Sequence, residues 1–215
     1  MKNILLYTFF AIFPTFVIAC DFIIKDKNEL NSVIELNLGN IEIDQKNDYD
    51  LIVSNTEGKT QNFGEPELPT YSFNYAVDYD KNYSVELIVN DYIVYNDINL
   101  YPSQPNYKPT DAKAFVKNKD IYALNTIFPT SKINTKRMSL RGYELLSIEG
   151  TPYEYNPVTK ELRVFNNPEV VITEIENRNT SNRAPRSKIF ESMFKNQVLN
   201  SDDYQDTRSF QKPSI

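Results

Sequence analysis

The sequence predicts a mainly β chain, an antiparallel β-sandwich followed by a short C-terminal helix. Three observations carry that expectation. The 215 residues hold 15 Tyr and 13 Phe beside abundant Ile, and aromatic and β-branched types suit a pleated, half-buried surface. Apolar residues alternate with polar ones at period two in successive runs, the mark of a strand with one buried face. Turn signals recur about every ten residues, the rhythm of a sandwich.

The first element is a targeting segment. Met1-Lys2-Asn3 is basic, Ile4 to Ile18 is apolar, and Ala19 places a small residue before Cys20. This is the layout of a secretory signal over residues 1–19. The run is short for a membrane span, and Asp21, Lys25, Asp26 and Lys27 follow at once. Two cleavages fit: signal peptidase after Ala19, or a lipobox reading of Val17-Ile-Ala-Cys20 that makes Cys20 a lipidated N-terminus. Either way the expectation is export, to the periplasm, the cell surface or beyond.

A sandwich domain is expected over residues 25–176. Strands are predicted at Val33 to Gly39, Ile41 to Ile43 and Leu51 to Ser54, the last followed by a turn at Asn55 to Gly58. Pro66 and Pro69 force an extended path before a strand from Tyr71 to Val77. After a polar turn at Asp78 to Tyr83, Ser84 to Val89 and Tyr92 to Tyr95 read as a hairpin joined at Asn90-Asp91. Asn106 to Thr110 reads as a loop, and periodicity does not decide whether Ala112 to Tyr122 is a helix or a loop plus strand. Thr130 to Ser139 reads as a polar, basic loop. Leu140 to Ile148 is a strand, Thr151 to Phe165 a hairpin turning at Asn156-Pro157, and Val170 to Ile175 the closing strand. Residues 177–215 read as linker, helix and polar tail, the helix carried by Ile189, Met193, Phe194 and Val198 at helical spacing.

Several chemistries are excluded. The chain has no His and one Cys, so it assembles neither a Cys–His nor a Ser–His pair. A zinc site would need carboxylates alone, and the lone Cys20 forms no internal disulfide. Five glycines form no phosphate-cradling loop, and a net charge of −6 has the wrong sign for nucleic acid. No cofactor, no metal and no catalytic residue is expected.

Four marks stand in order: Gly64-Glu-Pro-Glu-Leu-Pro69, Leu100-Tyr-Pro-Ser-Gln104, Arg141-Gly142 and Tyr155-Asn-Pro-Val-Thr-Lys-Glu-Leu-Arg163. A helix bearing Phe190 and Phe194 follows the last strand. Over roughly residues 25 to 200 this pattern resembles the N-terminal propeptide of gingipain-like cysteine peptidases, peptidase family C25. The resemblance implies a sandwich prodomain that acts as cleft-blocking inhibitor and folding assistant. It also implies a caspase-like peptidase domain as partner, which supplies the catalytic Cys and His. This chain has neither, so the partner is expected in cis if the precursor is truncated and in trans otherwise. The membrane is reached only through a lipid on Cys20.

A pocket that takes Arg or Lys would be blocked by a cation, and Lys132, Lys136 and Arg137 in the basic loop are the inhibitory candidates. Arg178, Arg183, Arg186 and Arg208 are the processing candidates. The alternative function is a non-catalytic surface lipoprotein or binding module with the same fold.

Overall fold

A computed structural model describes residues 21–28, 30–39, 41–56, 58–106, 108, 114–177 and 188–205, with side chains of the last helix from residue 190 onward. The described residues are mostly strands: β1 (Asp21–Lys27), β2 (Asn31–Asn37), β3 (Glu42–Lys46), β4 (Tyr49–Val53), β5 (Gly58–Lys59), β6 (Pro69–Val77), β7 (Lys81–Ile88) and β8 (Tyr92–Tyr95). After α1 (Lys119–Tyr122) come β9 (Ile133–Leu140), β10 (Tyr143–Gly150), β11 (Tyr153–Asn156), β12 (Glu161–Phe165) and β13 (Glu169–Asn177), and then α2 (Lys188–Gln197).

One four-stranded sheet has the order β1-β2-β13-β7 and a second the order β5-β6-β10-β9. Their pairings are antiparallel throughout. Period-two alternation turns one face of each inward. Ile34 and Leu36 of β2 and Val170 and Ile172 of β13 meet Tyr71, Phe73, Tyr75 and Val77 of β6 and Leu146 and Ile148 of β10 in one buried cluster. The expected antiparallel sandwich is therefore present. A second cluster lies beside it, between the sheets β11-β12-β8 and β3-β4, with Tyr153, Tyr155, Leu162 and Leu100 at its centre.

The outer face of the second sheet is covered by α2. Ala76, Tyr143 and Leu145 pack against Phe194 and Val198, and the Phe194 ring stacks on Tyr143 at 4.2 Å. Phe190, not Met193, joins this face; Met193 is half exposed. The chain then closes the open edge of β6 beyond its short pairing with β5. Leu199 donates its backbone N–H to the Asn74 carbonyl at 2.9 Å. The Asn200 amide accepts from Ala76 N at 2.8 Å and donates to Ala76 O at 2.9 Å. One side chain thus satisfies both backbone groups of a buried residue, as a neighbouring strand would.

Four expectations are corrected. Strands β7 and β8 form no hairpin at Asn90-Asp91: β7 pairs with β13 and β8 pairs with β12. Val85 and Leu87 pack on the first core while Ile93 sits opposite Val164 of the second cluster, so the chain changes sheets between them. Thr130 to Ser139 is not a loop, since Ile133–Leu140 is β9. An edge strand tolerates charges that a central strand would exclude. The turn expected over Asp78 to Tyr83 gives way to β7 at Lys81. Leu140 ends β9 rather than starting the next strand, and Arg141-Gly142 is the turn between β9 and β10. The undecided stretch before Phe128 supplies the single turn of α1, capped by the Asn118 side chain.

Candidate functional site

Strand β9 is an outer strand of its sheet and pairs only with β10 among the described residues. Its turn is tight: Arg141 and Gly142 have φ of 53° and 81°, the two positive values that a type I′ hairpin requires. In such a hairpin the pair flanking the turn, Leu140 and Tyr143, exchanges hydrogen bonds, and bonded pairs then alternate. The backbone groups of Ile133, Thr135, Arg137 and Ser139 therefore face away from β10, along an open edge. Where β9 begins, the surface opens into a cleft of about 640 Å³ that includes Phe128, Pro129, Lys132 and Glu149.

The three basic candidates have different fates. Arg137 lies opposite Leu146 and turns inward across the end of the sandwich. Its Nε donates to Glu144 at 2.8 Å, Nη1 to the Lys81 carbonyl at 2.6 Å, and Nη2 to the carbonyls of Asp78 at 3.0 Å and Tyr79 at 3.3 Å. It ties the edge strand to the connection between β6 and β7. In the same corner, the Asp78 N–H donates to the Tyr83 hydroxyl at 3.1 Å, and burial pushes the Tyr83 phenol up to about 12. Lys132 is held by Glu154 at 2.5 Å and lies 5.4 Å from the centre of the Phe165 ring. Lys136 stands opposite Ser147 on the outer face and is exposed. The structure does not bring the three together; it leaves Lys136 as the exposed cation on an open, extended edge.

A second surface feature escapes sequence reasoning. The side-chain amide of Gln104 clamps Val116, donating to its carbonyl at 2.7 Å and accepting from its N–H at 2.9 Å. Asn118 donates to the Gly64 carbonyl at 2.9 Å, and Gly64 to the Ser103 carbonyl at 2.7 Å. Gly64 has φ of +84°, and a Cβ there would lie 2.9 Å from Asn118 N, so this approach requires glycine. The Lys117 ammonium lies 4.1 Å from the Tyr122 ring centre and 4.9 Å from that of Tyr49. Tyr122 donates its hydroxyl to the Leu100 carbonyl at 2.7 Å, and burial raises its pKa. The two ends of the segment between Gln104 and Val116 are thus pinned side by side, and Lys108 within it is exposed.

These contacts explain the sequence marks. Gly64 and Gln104 build that neck. Tyr155 donates its buried hydroxyl to the Ile98 carbonyl at 2.9 Å. Asn156 accepts from Val158 N at 3.0 Å and Thr159 N at 3.3 Å, which shapes the turn into β12. Three of the marks, through Leu68, Leu100, Tyr155 and Leu162, frame the second core cluster, whereas Arg141-Gly142 turns the β9–β10 hairpin. Cys20, Arg178, Arg183, Arg186 and Arg208 lie outside the described residues. Among the described residues, no cluster of three metal-ligating side chains occurs and no helix is long and apolar enough to cross a membrane.

The described residues thus form an antiparallel sandwich backed by a helix, with an open edge at β9 and a loop pinned at its neck. Comparison specifies it. The family model Propeptide_C25 matches residues 29–209, so the chain belongs to the C25 propeptide family. The fold is similar to that in the complex of Porphyromonas gingivalis RgpB pro- and mature domains, with a TM-score of 0.73 and 20% identity over 85% of this chain and 97% of that one. It is also similar to a structure on the zymogenic latency of gingipain K from Porphyromonas gingivalis, with a TM-score of 0.61 and 18% identity over 73% of this chain and 93% of that one. No curated protein matches.

Proposed function

We propose that this chain is the prodomain of an exported caspase-like cysteine peptidase, occupying the peptidase cleft and assisting its folding. The open edge of β9 carrying exposed Lys136 is the observation that supports the reading most directly. A peptidase cleft receives its ligand as an added strand, with main-chain hydrogen bonds for affinity and a side-chain pocket for specificity. An extended edge with outward-facing backbone groups meets the first requirement, and a solvent-exposed ammonium meets the second. A strand already held by β10 is also poorly placed to be cut.

The test is inhibition of a gingipain-type peptidase by the purified chain. Lys136→Ala should weaken inhibition by about tenfold or more, equivalent to about 1.4 kcal/mol, while its unfolding midpoint stays unchanged. Unaltered inhibition would remove Lys136 from the contact.

A second contact is favoured by the neck at Gln104 and Val116. A loop whose ends are fixed loses less freedom on binding, and Gln104→Ala would then weaken inhibition where Lys136→Ala does not. Absence of inhibition by the unaltered chain would instead favour a surface lipoprotein or binding module on the same fold. Export is part of the proposal. So is processing at Arg178, Arg183, Arg186 or Arg208, which N-terminal sequencing of a matured product would locate.

A further inference from the structure

A strand with an open edge is a template for a further strand, and charged residues on it keep other chains off. The outer strands of the two larger sheets are charged in this way. β1 carries Lys25, Asp26 and Lys27, with a register shift between Ile24 and Asp26. β7 carries Lys81 and Glu86, and β9 carries Lys136 and Arg137. Among the described strands, only β6 and β8 have no charged residue. The chain closes β6 with Leu199 and Asn200. β8, Tyr92-Ile-Val-Tyr95, pairs only with β12 among the described residues. Its Tyr92, Ile93 and Val94 are 47%, 52% and 41% exposed.

The direction of its free backbone groups follows from one bond. Asn166 donates its N–H to the Asp91 carbonyl at 2.9 Å, one residue beyond the facing pair Phe165 and Tyr92. Asp91 is thus a hydrogen-bonded position. Bonded positions alternate, so the backbone groups of Tyr92 and Val94 turn away from β12. The outward Tyr92 N–H is taken by the Asp91 side chain at 2.8 Å.

We propose that β8 pairs with β8 of a second copy of this chain, antiparallel about a two-fold axis at Val94. Bonded pairs form only between residues whose groups point outward. With Val94 facing Val94, these two residues exchange both hydrogen bonds. Tyr92 then faces Asn96 and accepts from its N–H, with no call on the occupied Tyr92 N–H. The alternative, Tyr92 facing Val94, would need that N–H. On the other face Ile93 meets Tyr95 of the second copy, a β-branched residue against an aromatic one. The contact is isologous and joins two three-stranded sheets into one, while β9, in a different sheet, stays free. A strand of 4 residues buries less than the roughly 800 Å² per copy of a standard interface. The dimer is therefore weak, with a Kd of about 10–500 µM.

The experiment is sedimentation equilibrium of the full chain from about 5 µM to about 1 mM, with Val94→Lys and Val94→Thr alongside. The expected result is a concentration-dependent dimer. Val94→Lys, which sets two ammonium groups face to face on the axis, should weaken it at least about tenfold without moving the unfolding midpoint. Val94→Thr, still β-branched, should keep it. A chain that stays monomeric throughout overturns the proposal, and so does a dimer that Val94→Lys leaves intact. If Val94→Lys does not fold, amide exchange of the unaltered chain decides. Protection of the Val94 N–H that rises with chain concentration supports pairing. Protection independent of concentration overturns it, whether the edge is covered from within the chain or by nothing.

Discussion

Arg137 is the residue whose replacement best separates scaffold from contact. Its guanidinium makes four hydrogen bonds, one to Glu144, two to carbonyls of the connection between β6 and β7 and one to the Lys81 carbonyl at the start of β7. The side chain of Glu144 is 6% exposed and that of Arg137 21%. Removing one partner of a buried ion pair costs roughly 3–5 kcal/mol, because the remaining charge keeps its desolvation penalty. The partial exposure of the guanidinium lowers that figure, and water reaches the freed carbonyls. Arg137→Ala should therefore destabilise the domain by about 2–4 kcal/mol. With a urea m-value of about 2 kcal/mol/M, the unfolding midpoint falls by about 1–2 M. Arg137→Lys should recover little, since a point charge cannot span a carboxylate and several carbonyls. Inhibition, measured where the variant is still folded, should change less than for Lys136→Ala. A loss of stability below about 0.5 kcal/mol, the size of an ordinary surface substitution, would refute the reasoning. So would lost inhibition with an unchanged midpoint, which would make Arg137 the contact after all.

Further outcomes follow from the same structure. Asn200→Ala strands the N–H and carbonyl of buried Ala76 and should cost about 2–4 kcal/mol in urea unfolding. Asn200→Asp should be no better, because a carboxylate would face the Ala76 carbonyl. Stability should fall in alkali. Burial raises the phenols of Tyr75, Tyr83, Tyr122 and Tyr155, so the unfolded chain loses these protons first. Their contribution is fully present below about pH 10, the ordinary tyrosine value, and is lost as pH rises through the folded values, Tyr83 at about 12. Unfolding midpoints against pH, alongside phenolate absorbance, measure this. Finally, a single cut between β13 and α2 should leave two fragments that co-elute under native conditions, because Phe194, Val198 and Asn200 hold the second piece to the sheet; separation of the fragments would contradict that packing.

Much of the sandwich was legible because its central strands alternate cleanly. Tyr71 to Val77 and Val170 to Ile175 each present one face to a single core. The misread pieces are those where local sequence and tertiary placement part company. Asn90-Asp91 carries a good turn signal, yet the strands on either side belong to different sheets, a choice made by packing partners distant in sequence. Strand β9 was hidden because Lys136 and Arg137 sit on an edge, where charge is tolerated and alternation is weak. From sequence, Lys132, Lys136 and Arg137 were equivalent cations; only the positions of Glu154, Glu144 and the carbonyls near Lys81 distinguish them. The neck at Gln104 was invisible, since an amide that mimics a backbone partner has no sequence period. Its visible traces were Gly64 within a proline-rich stretch and Gln104 at the end of the Leu100-Tyr-Pro-Ser-Gln104 mark.

The closing of β6 by residues 198–200 has a consequence for the order of events during synthesis. The second sheet cannot be completed until the segment through Asn200 has emerged, because until then the Ala76 backbone and the outer face of β6 and β10 are bare. A chain threaded through a membrane from its N-terminus would keep this domain unfinished, and competent for passage, until nearly all of it had crossed. Whatever follows residue 205 would then emerge beside a domain that had just become rigid. The last helix and the residues after it thus complete the second sheet as well as covering apolar surface.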